Sequence, residues 1–292
     1  MLLKQKSMPE NTRLSPMWRK PEFTAGSRLT QTLERGVSGS VASCPTIWFR
    51  ADDVAVASGS FAAMADCFRR HRIPLAPAVV PSWLSLSRWR EIEAVMGKNG
   101  RWSFHQHGRR HLNHEPVGRK SEFGPARSAE AKRRDILLGR QRLERIMGDD
   151  FLPVFTAPWN RFDAITGQCL RELGFLAASR NDKAFNSEPI DLPEIPVNCD
   201  LHTRRGTPSQ TWNDFFAEVE SGLQRGLLGV MLHHQRMNSR ALEFLDIFLS
   251  AVAASPRLRV ASLEEMVIEA KFLKITSTHV RSTPNGFPIV AR

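Results

Sequence analysis

Residues 46–81 read TIWFRADDVAVASGSFAAMADCFRRHRIPLAPAVVP. TIWF is an apolar run of strand-forming residues, and RADD ends it with two consecutive acids. SFAAMADCFRRH then brings its apolar residues back at helical spacing, and IPLAPAVVP is a second short apolar run closed by proline. A strand, a helix and another strand in succession predict a parallel pair joined by a helical crossover.

The same alternation continues along the chain. LSRWREIEAVMGKNG reads as a helix ending in Gly100, and WSFHQH as the next strand. SAEAKRRDILLGRQRLERIMG leads as a helix into the strand VFTAPW, and DAITGQCLRELG as a helix into the strand FLAASR. IPVNCDL, LLGVMLHH and RLRVAS supply further strands, with helices at TWNDFFAEVESGLQRG, SRALEFLDIFLSAVAA and SLEEMVIEAKFL. Six or seven such units predict an α/β fold, a distorted (β/α) barrel of about seven strands spanning residues 45–274. Residues 1–44 are polar and rich in Pro, Ser, Thr and Arg, and are expected to form a flexible basic arm. Residues 275–292 form a tail that packs as an extended segment or frays.

Composition narrows the classes. Of 292 residues 41% are hydrophobic and 24% charged, which describes a globular chain rather than a disordered one. The formal net charge of +11 would suit nucleic acid, anionic lipid or an acidic polysaccharide. The basic residues are spread over the arm and the helix faces, without a block interleaved with aromatics, so a nucleic-acid partner is not expected. Cys44, Cys67, Cys169 and Cys199 form no CxxC pair and read as isolated thiols of a reducing compartment. No signal-peptide core and no apolar run of membrane-spanning length stands in the sequence, so the expected location is the cytoplasm. The chain has no tyrosine, which excludes any mechanism that needs a phenol.

Polar residues gather where the strands end. Asp52 and Asp53 follow the first strand and His105 and His107 close the third, while Trp159, Asn160 and Arg161 follow VFTAPW. Asp200 follows IPVNC, and His233 and His234 close LLGVML. In parallel α/β folds the carboxyl ends of the strands form the face that carries the active site.

Residues 103–114, SFHQHGRRHLNH, hold four of the nine histidines. His107 and His111 are four apart and on one helical turn would offer both rings to one ion; His105 with His107, alternate residues of a strand, is the rival pair. The absence of Glu after the first His excludes a zinc-protease HExxH site. The two acids can be a helix cap followed by an exposed charge. Joined to the histidines, Asp53 completes a set of one carboxylate and two imidazoles that suits a catalytic zinc or another divalent cation. Asp52 is then free to receive a proton. Trp83, Trp89, Trp102 and Trp159 read either as core or as the lining of a sugar groove, and Asn113 and His114 either as loop caps or as partners of the ligands.

With these residues in order, the chain resembles the polysaccharide deacetylases, carbohydrate esterase family four with its nodulation-protein-B-type domain. RADD stands where the family has Thr-Phe-Asp-Asp, which implies Asp52 as catalytic base and Asp53 as metal ligand. HGRRH resembles the His-Ser/Thr-x-x-His motif and implies His107 and His111 as ligands. VMLHH resembles the Leu-x-His motif, with His233, or alternatively His234, as the general acid. TAPWNR keeps the proline of Arg-x-x-Pro-Tyr but has Trp159 for Tyr, whose backbone N–H the resemblance implies as oxyanion donor. The arginine of that motif is missing, and Arg50 or Arg161 is left to pair with the base. CDLH is a reduced form of the motif that orients the acid histidine, with Asp200 in that place; Arg161, Asp200 and His234 are expected against the substrate.

The resemblance implies a hydrolase of carbon–nitrogen bonds other than peptide bonds, which removes N-acetyl groups from an amino-sugar-containing saccharide with the help of a divalent cation, zinc by its donors. Two other readings stand beside it: a metal-dependent hydrolase of a small non-sugar amide, and a catalytically silent carbohydrate-binding barrel.

Overall fold

A computed structural model describes residues 14–97, 100–182 and 190–270. Strands β1 (Thr46–Val54), β2 (Ala76–Val79), β3 (Phe104–His107), β4 (Phe151–Thr156), β5 (Ala177–Ser179), β6 (Cys199–Asp200) and β7 (Leu227–Leu232) form one parallel sheet in the order β5-β4-β3-β2-β1-β7-β6. A short β8 (Arg259–Val260) pairs with Thr46 and Ile47 at the start of β1, while β2 pairs with β1 from Arg50 onward. The sheet curls into a distorted barrel. Its two edges meet through residues 193–201: Ile195 and Val197 donate backbone N–H bonds to Ala178 of β5 and Arg180 just after it, and Asn198 and Leu201 to Gly229 and Met231 of β7.

Helices α1 (Ala25–Ser38), α2 (Gly59–His71), α3 (Leu86–Met96), α4 (Ala129–Met147), α5 (Ala164–Glu172), α6 (Pro208–Gln224) and α7 (Ser239–Ala253) lie outside, with a further helical segment at 263–270. Six of them begin on a Ser, Asp, Thr or Asn whose side chain accepts the N–H three residues on: Ser58, Ser85, Ser128, Asp163, Thr207 and Asn238. α3 stops at Gly97, whose φ of 66° only glycine adopts without strain, rather than at Gly100 as the sequence suggested.

Period-two alternation sorts the side chains of β1 between two cores. Phe49 points outward and meets the edges of Phe68 in α2 and Phe248 in α7 at 5.3 and 5.8 Å. Trp48, Arg50 and Asp52 share the opposite, inner face. At the level of Trp48 the interior is apolar, with Val154, Ala177, Ile195 and Val197, and Leu263, Met266 and Val267 close it from below. Higher up, toward the strand carboxyl ends, the interior turns polar. Fully burying each large apolar side chain contributes roughly 1.5–3 kcal/mol, so the lower half anchors the frame and the upper half is left for chemistry.

The segment read from sequence as an arm contains α1, which packs on α6. Leu29, Leu33 and Val37 are buried. Gly36 lies so close to α6 that a Cβ there would stand 2.9 Å from Leu223. Arg35 pairs with Glu220 at 2.9 Å, and Trp18 meets the edge of Trp212 with ring centroids 5.2 Å apart. The apolar residues of α1 recur at four-residue spacing, but they stand among Ser, Thr, Gln and Arg. Residues 1–13 and the expected tail at 275–292 lie outside the described residues.

Candidate active site

Asp52 and Asp53 are neighbours on one strand, so strict alternation would turn one of them away from the barrel mouth. It does not, because the register of β1 against β2 shifts between Ala51 and Val54, and Asp53 takes a left-handed backbone with φ 62°. Both carboxylates therefore line one cleft. Five described non-glycine residues have such a backbone, and four of them, Asp53, His111, Trp159 and Asn160, belong to this site. Backbone of this kind persists only where the surroundings enforce it.

His107 is the last residue of β3, and His111 reaches it through a loop rather than along a helical turn. The expected helix is excluded by the left-handed backbone of Gly108 (φ 56°) and His111 (φ 57°). The loop folds around Glu122, a fully buried residue that sequence reasoning did not single out. Its carboxylate accepts the backbone N–H of Arg109 at 3.2 Å, Arg110 at 2.7 Å and His111 at 3.1 Å. Gly108 is required for this: a Cβ there would lie 2.3 Å from the Glu122 carboxylate and 2.6 Å from Pro158. The glycine in the second place of HGRRH thus makes room for the acid that holds the loop.

The three candidate ligands come together. Nε2 of His107 and Nε2 of His111 stand 3.3 and 3.1 Å from Oδ1 of Asp53, yet neither contact has hydrogen-bond geometry, and this buried oxygen has no hydrogen-bond partner. One donor atom from each residue falls within 4.8 Å of the others. Nδ1 of His107 donates to the Thr156 carbonyl at 3.2 Å, which turns Nε2 toward Asp53. His111 is kept neutral by burial and by His107 beside it. Two imidazole nitrogens and an orphaned carboxylate oxygen face each other, so a positive charge belongs between them. The donor set fits a divalent cation.

His105, the rival in the HxH pair, is fully buried and spends both ring nitrogens, on the Ser103 carbonyl at 3.2 Å and on Thr156 Oγ1 at 2.8 Å. Burial pushes its pKa down to about 3, so it is a neutral part of the scaffold.

Asp52 is held by Arg50, two residues earlier on the same inner face. Arg50 Nε donates to Oδ1 at 2.8 Å and Nη2 to Oδ2 at 2.9 Å. Arg50 Nη1 donates to Ser179 Oγ at 2.7 Å and Nη2 also to Asn160 Oδ1 at 2.6 Å, so each nitrogen of the buried guanidinium has an acceptor. Burial raises the pKa of Asp52, but Arg50 and then His107 and His233 outweigh it and hold the carboxyl below its ordinary value. Arg161 points elsewhere, donating to the Lys120 carbonyl at 3.1 Å. Of the two arginines that the sequence left open, Arg50 is the one beside Asp52.

Trp159 lines the cleft with its ring centroid 4.4 Å from that of His111, and Trp83, 37% exposed, stands 5.7 Å from the same ring. Trp89 is buried against Phe104, and Trp102 donates to the Gly97 carbonyl. His233 lines the cleft, and its backbone N–H donates to Nδ1 of the buried His202 at 3.1 Å. His234 is buried with its ring 5.3 Å from Phe61 and is not among the cleft-lining residues. Asp200 lines the cleft, but its oxygens accept from His202 N at 2.8 Å, from Thr203 N at 2.9 Å and from the Thr203 hydroxyl. Asn113 caps its loop, accepting from Glu115 N and Ser121 N. The cleft over these groups has a volume of about 1100 Å³.

No protein-family model matches the chain, and no curated protein matches it by sequence. Solved structures do match. A protein assigned as a polysaccharide deacetylase from Mycobacterium smegmatis is 15% identical, with 86% of this chain and 96% of that chain covered at a TM-score of 0.59. A family 4 acetyl xylan esterase from Clostridium thermocellum, in complex with a cobalt ion, is 15% identical over 77% of this chain and 91% of that one, with a TM-score of 0.53. The Xyl-CE4 domain of a multidomain xylanase from the hindgut metagenome of Trinervitermes trinervoides is 14% identical over 78% and 91%, with a TM-score of 0.52. At this identity the likeness is one of fold. Among the described residues no helix is long and apolar enough to cross a membrane.

Proposed function

On a barrel with the fold of the polysaccharide deacetylases, we propose that this chain is a metal-dependent hydrolase that removes the acetyl group from an acetamido sugar within a saccharide. The observation that carries the reading is the unpartnered Asp53 oxygen between His107 and His111, set beside an Asp52 that Arg50 keeps ionised. A cation held by Asp53, His107 and His111, zinc by its donors, would supply Lewis-acid polarisation of the amide carbonyl and acidification of water.

The rest is work for the side chains. Asp52, ionised and aimed into the cleft, accepts a proton from the water whose oxygen bonds to the acetyl carbon. The backbone N–H of Trp159 offers a hydrogen bond to the oxygen that gains negative charge. His233 gives a proton to the sugar nitrogen as the carbon–nitrogen bond breaks. Acetic acid and the free amine leave, and a proton passes from Asp52 to His233 to restore both. A cleft of about 1100 Å³, at the upper end of the roughly 300–1,000 Å³ typical of ligand pockets, has room for a saccharide.

The test is acetate release from acetylated oligosaccharides by metal-loaded and chelated protein. Release that needs the cation and falls at least about a hundredfold in Asp52→Asn and His107→Ala supports the assignment. Full activity in either variant would refute it, and saccharide binding without release would identify a silent binding barrel.

A further inference from the structure

The rim of the cleft is cationic over an acidic floor. Arg19, Arg119, Lys120, Arg161 and Arg205 line it, and they come from four separate places in the chain. Arg19 follows the turn Pro16–Trp18 that docks beside α6, and Arg119 and Lys120 sit on the loop that Asn113 caps. Arg161 follows Trp159, and Arg205 lies in the loop after β6. Arg161 fastens two of these places together through its bond to the Lys120 carbonyl.

The acids of the same cleft are already engaged. Asp52 is paired with Arg50, and Asp53 faces the two histidines. Asp200 accepts from its own loop, Asp182 pairs with Arg225, and Glu218 pairs with Arg204 at 2.5 Å. None of the five rim cations makes an ion pair with a described carboxylate. Arg119 and Arg161 are close enough to repel: burial and then Arg119 push the pKa of Arg161 down. Like charges brought to one mouth without counter-ions raise the local concentration of anions there and lose that free energy unless an anion arrives.

We propose that the saccharide bound in this cleft is acidic, carrying carboxylate or sulfate groups on the sugars that flank the acetamido sugar, and that Arg119, Lys120, Arg161, Arg205 and Arg19 recognise them. The proposal rests on the hydrolase reading for the kind of polymer, and on the charge of the rim for its acidity. A nucleic acid would meet the same charge, but the floor offers carboxylates and imidazoles, and Trp159 is the aromatic residue among those that line the cleft.

The experiment compares three tetrasaccharides with the zinc-loaded full chain. One is neutral N-acetylchitotetraose, one alternates N-acetylglucosamine with glucuronate, and one is its sulfated galactosamine counterpart. The expected result is a kcat/KM about tenfold or more higher for at least one acidic substrate at low salt, a preference that shrinks as added salt shortens the screening length. Both acidic substrates carry carboxylates, so the difference between them reads what sulfate adds. The double variant Arg119→Gln/Lys120→Gln should lose most of the preference through KM rather than kcat. Equal or better turnover of the neutral oligomer, or a preference unchanged in the double variant, overturns the proposal and leaves the deacetylase reading standing. If no substrate releases acetate, tryptophan-fluorescence titration with the same sugars and a single-stranded oligonucleotide decides. Salt-sensitive binding of an acidic sugar that the double variant loses sustains the acidic ligand while the deacetylase reading fails. Equal binding of all three sugars, no binding of any, or tighter binding of the oligonucleotide overturns it.

Discussion

Arg50 grips Asp52 from two residues earlier on the same strand, Nε on Oδ1 at 2.8 Å and Nη2 on Oδ2 at 2.9 Å, with both side chains out of solvent. A single strand thus supplies the carboxylate, the cation that keeps it charged and, through the shifted register, the neighbouring Asp53. Removing the arginine leaves a buried charge without a partner, which costs about 3–5 kcal/mol. Arg50→Met should therefore destabilise the protein by that order, and Arg50→Met/Asp52→Asn should recover a large part of the loss in urea unfolding. The sign with pH follows from the lowered pKa of Asp52. The pair stabilises the fold above the ordinary carboxylate value of 3.8 and stops doing so as pH falls through the lower folded value. In Arg50→Met burial acts on Asp52 without the arginine, so its carboxyl takes up a proton at higher pH than in wild type, and the gap should narrow as pH falls from that higher value to the wild-type one.

Glu122 and Gly108 act as one device. The carboxylate takes three backbone N–H groups of residues 109–111, and the glycine leaves space for it. Glu122→Ala should cost roughly 1–3 kcal/mol in stability and weaken zinc affinity about 10–100-fold, because His111 loses its support. Gly108→Ala should be as harmful, since a side chain at φ 56° is strained and would collide with Glu122. Isothermal titration with zinc, alongside denaturant unfolding, reads both effects. Unchanged zinc affinity in Glu122→Ala would show that His111 needs no such support.

Much of this architecture is legible in the sequence because its signals are local. The alternation of apolar runs with helical periodicity gives the parallel barrel, and the end of each run gives the mouth where Asp53, His107 and His111 meet. What the sequence hides is set by long-range contact or by backbone conformation. Arg50 and Asp52 share a face by simple alternation, a signal that was available. The choice between Arg50 and Arg161 depends on Ser179 and Asn160, which lie 129 and 110 residues away. Glu122 reaches the His107–His111 loop from a segment without periodicity. The helical turn expected for those histidines gives way to left-handed backbone that no spacing rule encodes. In α1 the apolar spacing is present but diluted, and its burial comes from α6, far along the chain.

His202 and His234 give the fold a second acid sensitivity, at higher pH than Asp52. Burial drives His234 down to about 4 and His202 well below the ordinary value of 6.5, so both stay neutral in the fold while the unfolded chain takes up a proton on each. The unfolded state then binds more protons between pH 6.5 and 4, and stability falls as pH is lowered through that window. Each such group contributes a slope of up to about 1.4 kcal/mol per pH unit. His234→Phe, which fits the apolar contact with Phe61, should flatten the slope by about one such group. Thermal or urea unfolding at several pH values between 4 and 7 checks this, and an unaltered slope would mean that His234 is charged in the fold.

The three donors at the centre make a prediction that needs no substrate. Asp53 Oδ1 is buried without a hydrogen bond, and Nε2 of His107 and of His111 face it at 3.3 and 3.1 Å. Binding a divalent cation relieves that arrangement in the folded state, and the unfolded chain does not assemble the three donors. Zinc at a hundred times its dissociation constant should therefore raise the unfolding free energy by about 2.7 kcal/mol, and a chelator should reverse the gain. One ion per chain is expected by elemental analysis. Asp53→Asn should abolish the zinc-induced rise, because the amide brings no negative charge to the ion. The same rise in Tm for wild type and Asp53→Asn would place the bound ion somewhere other than between these three side chains.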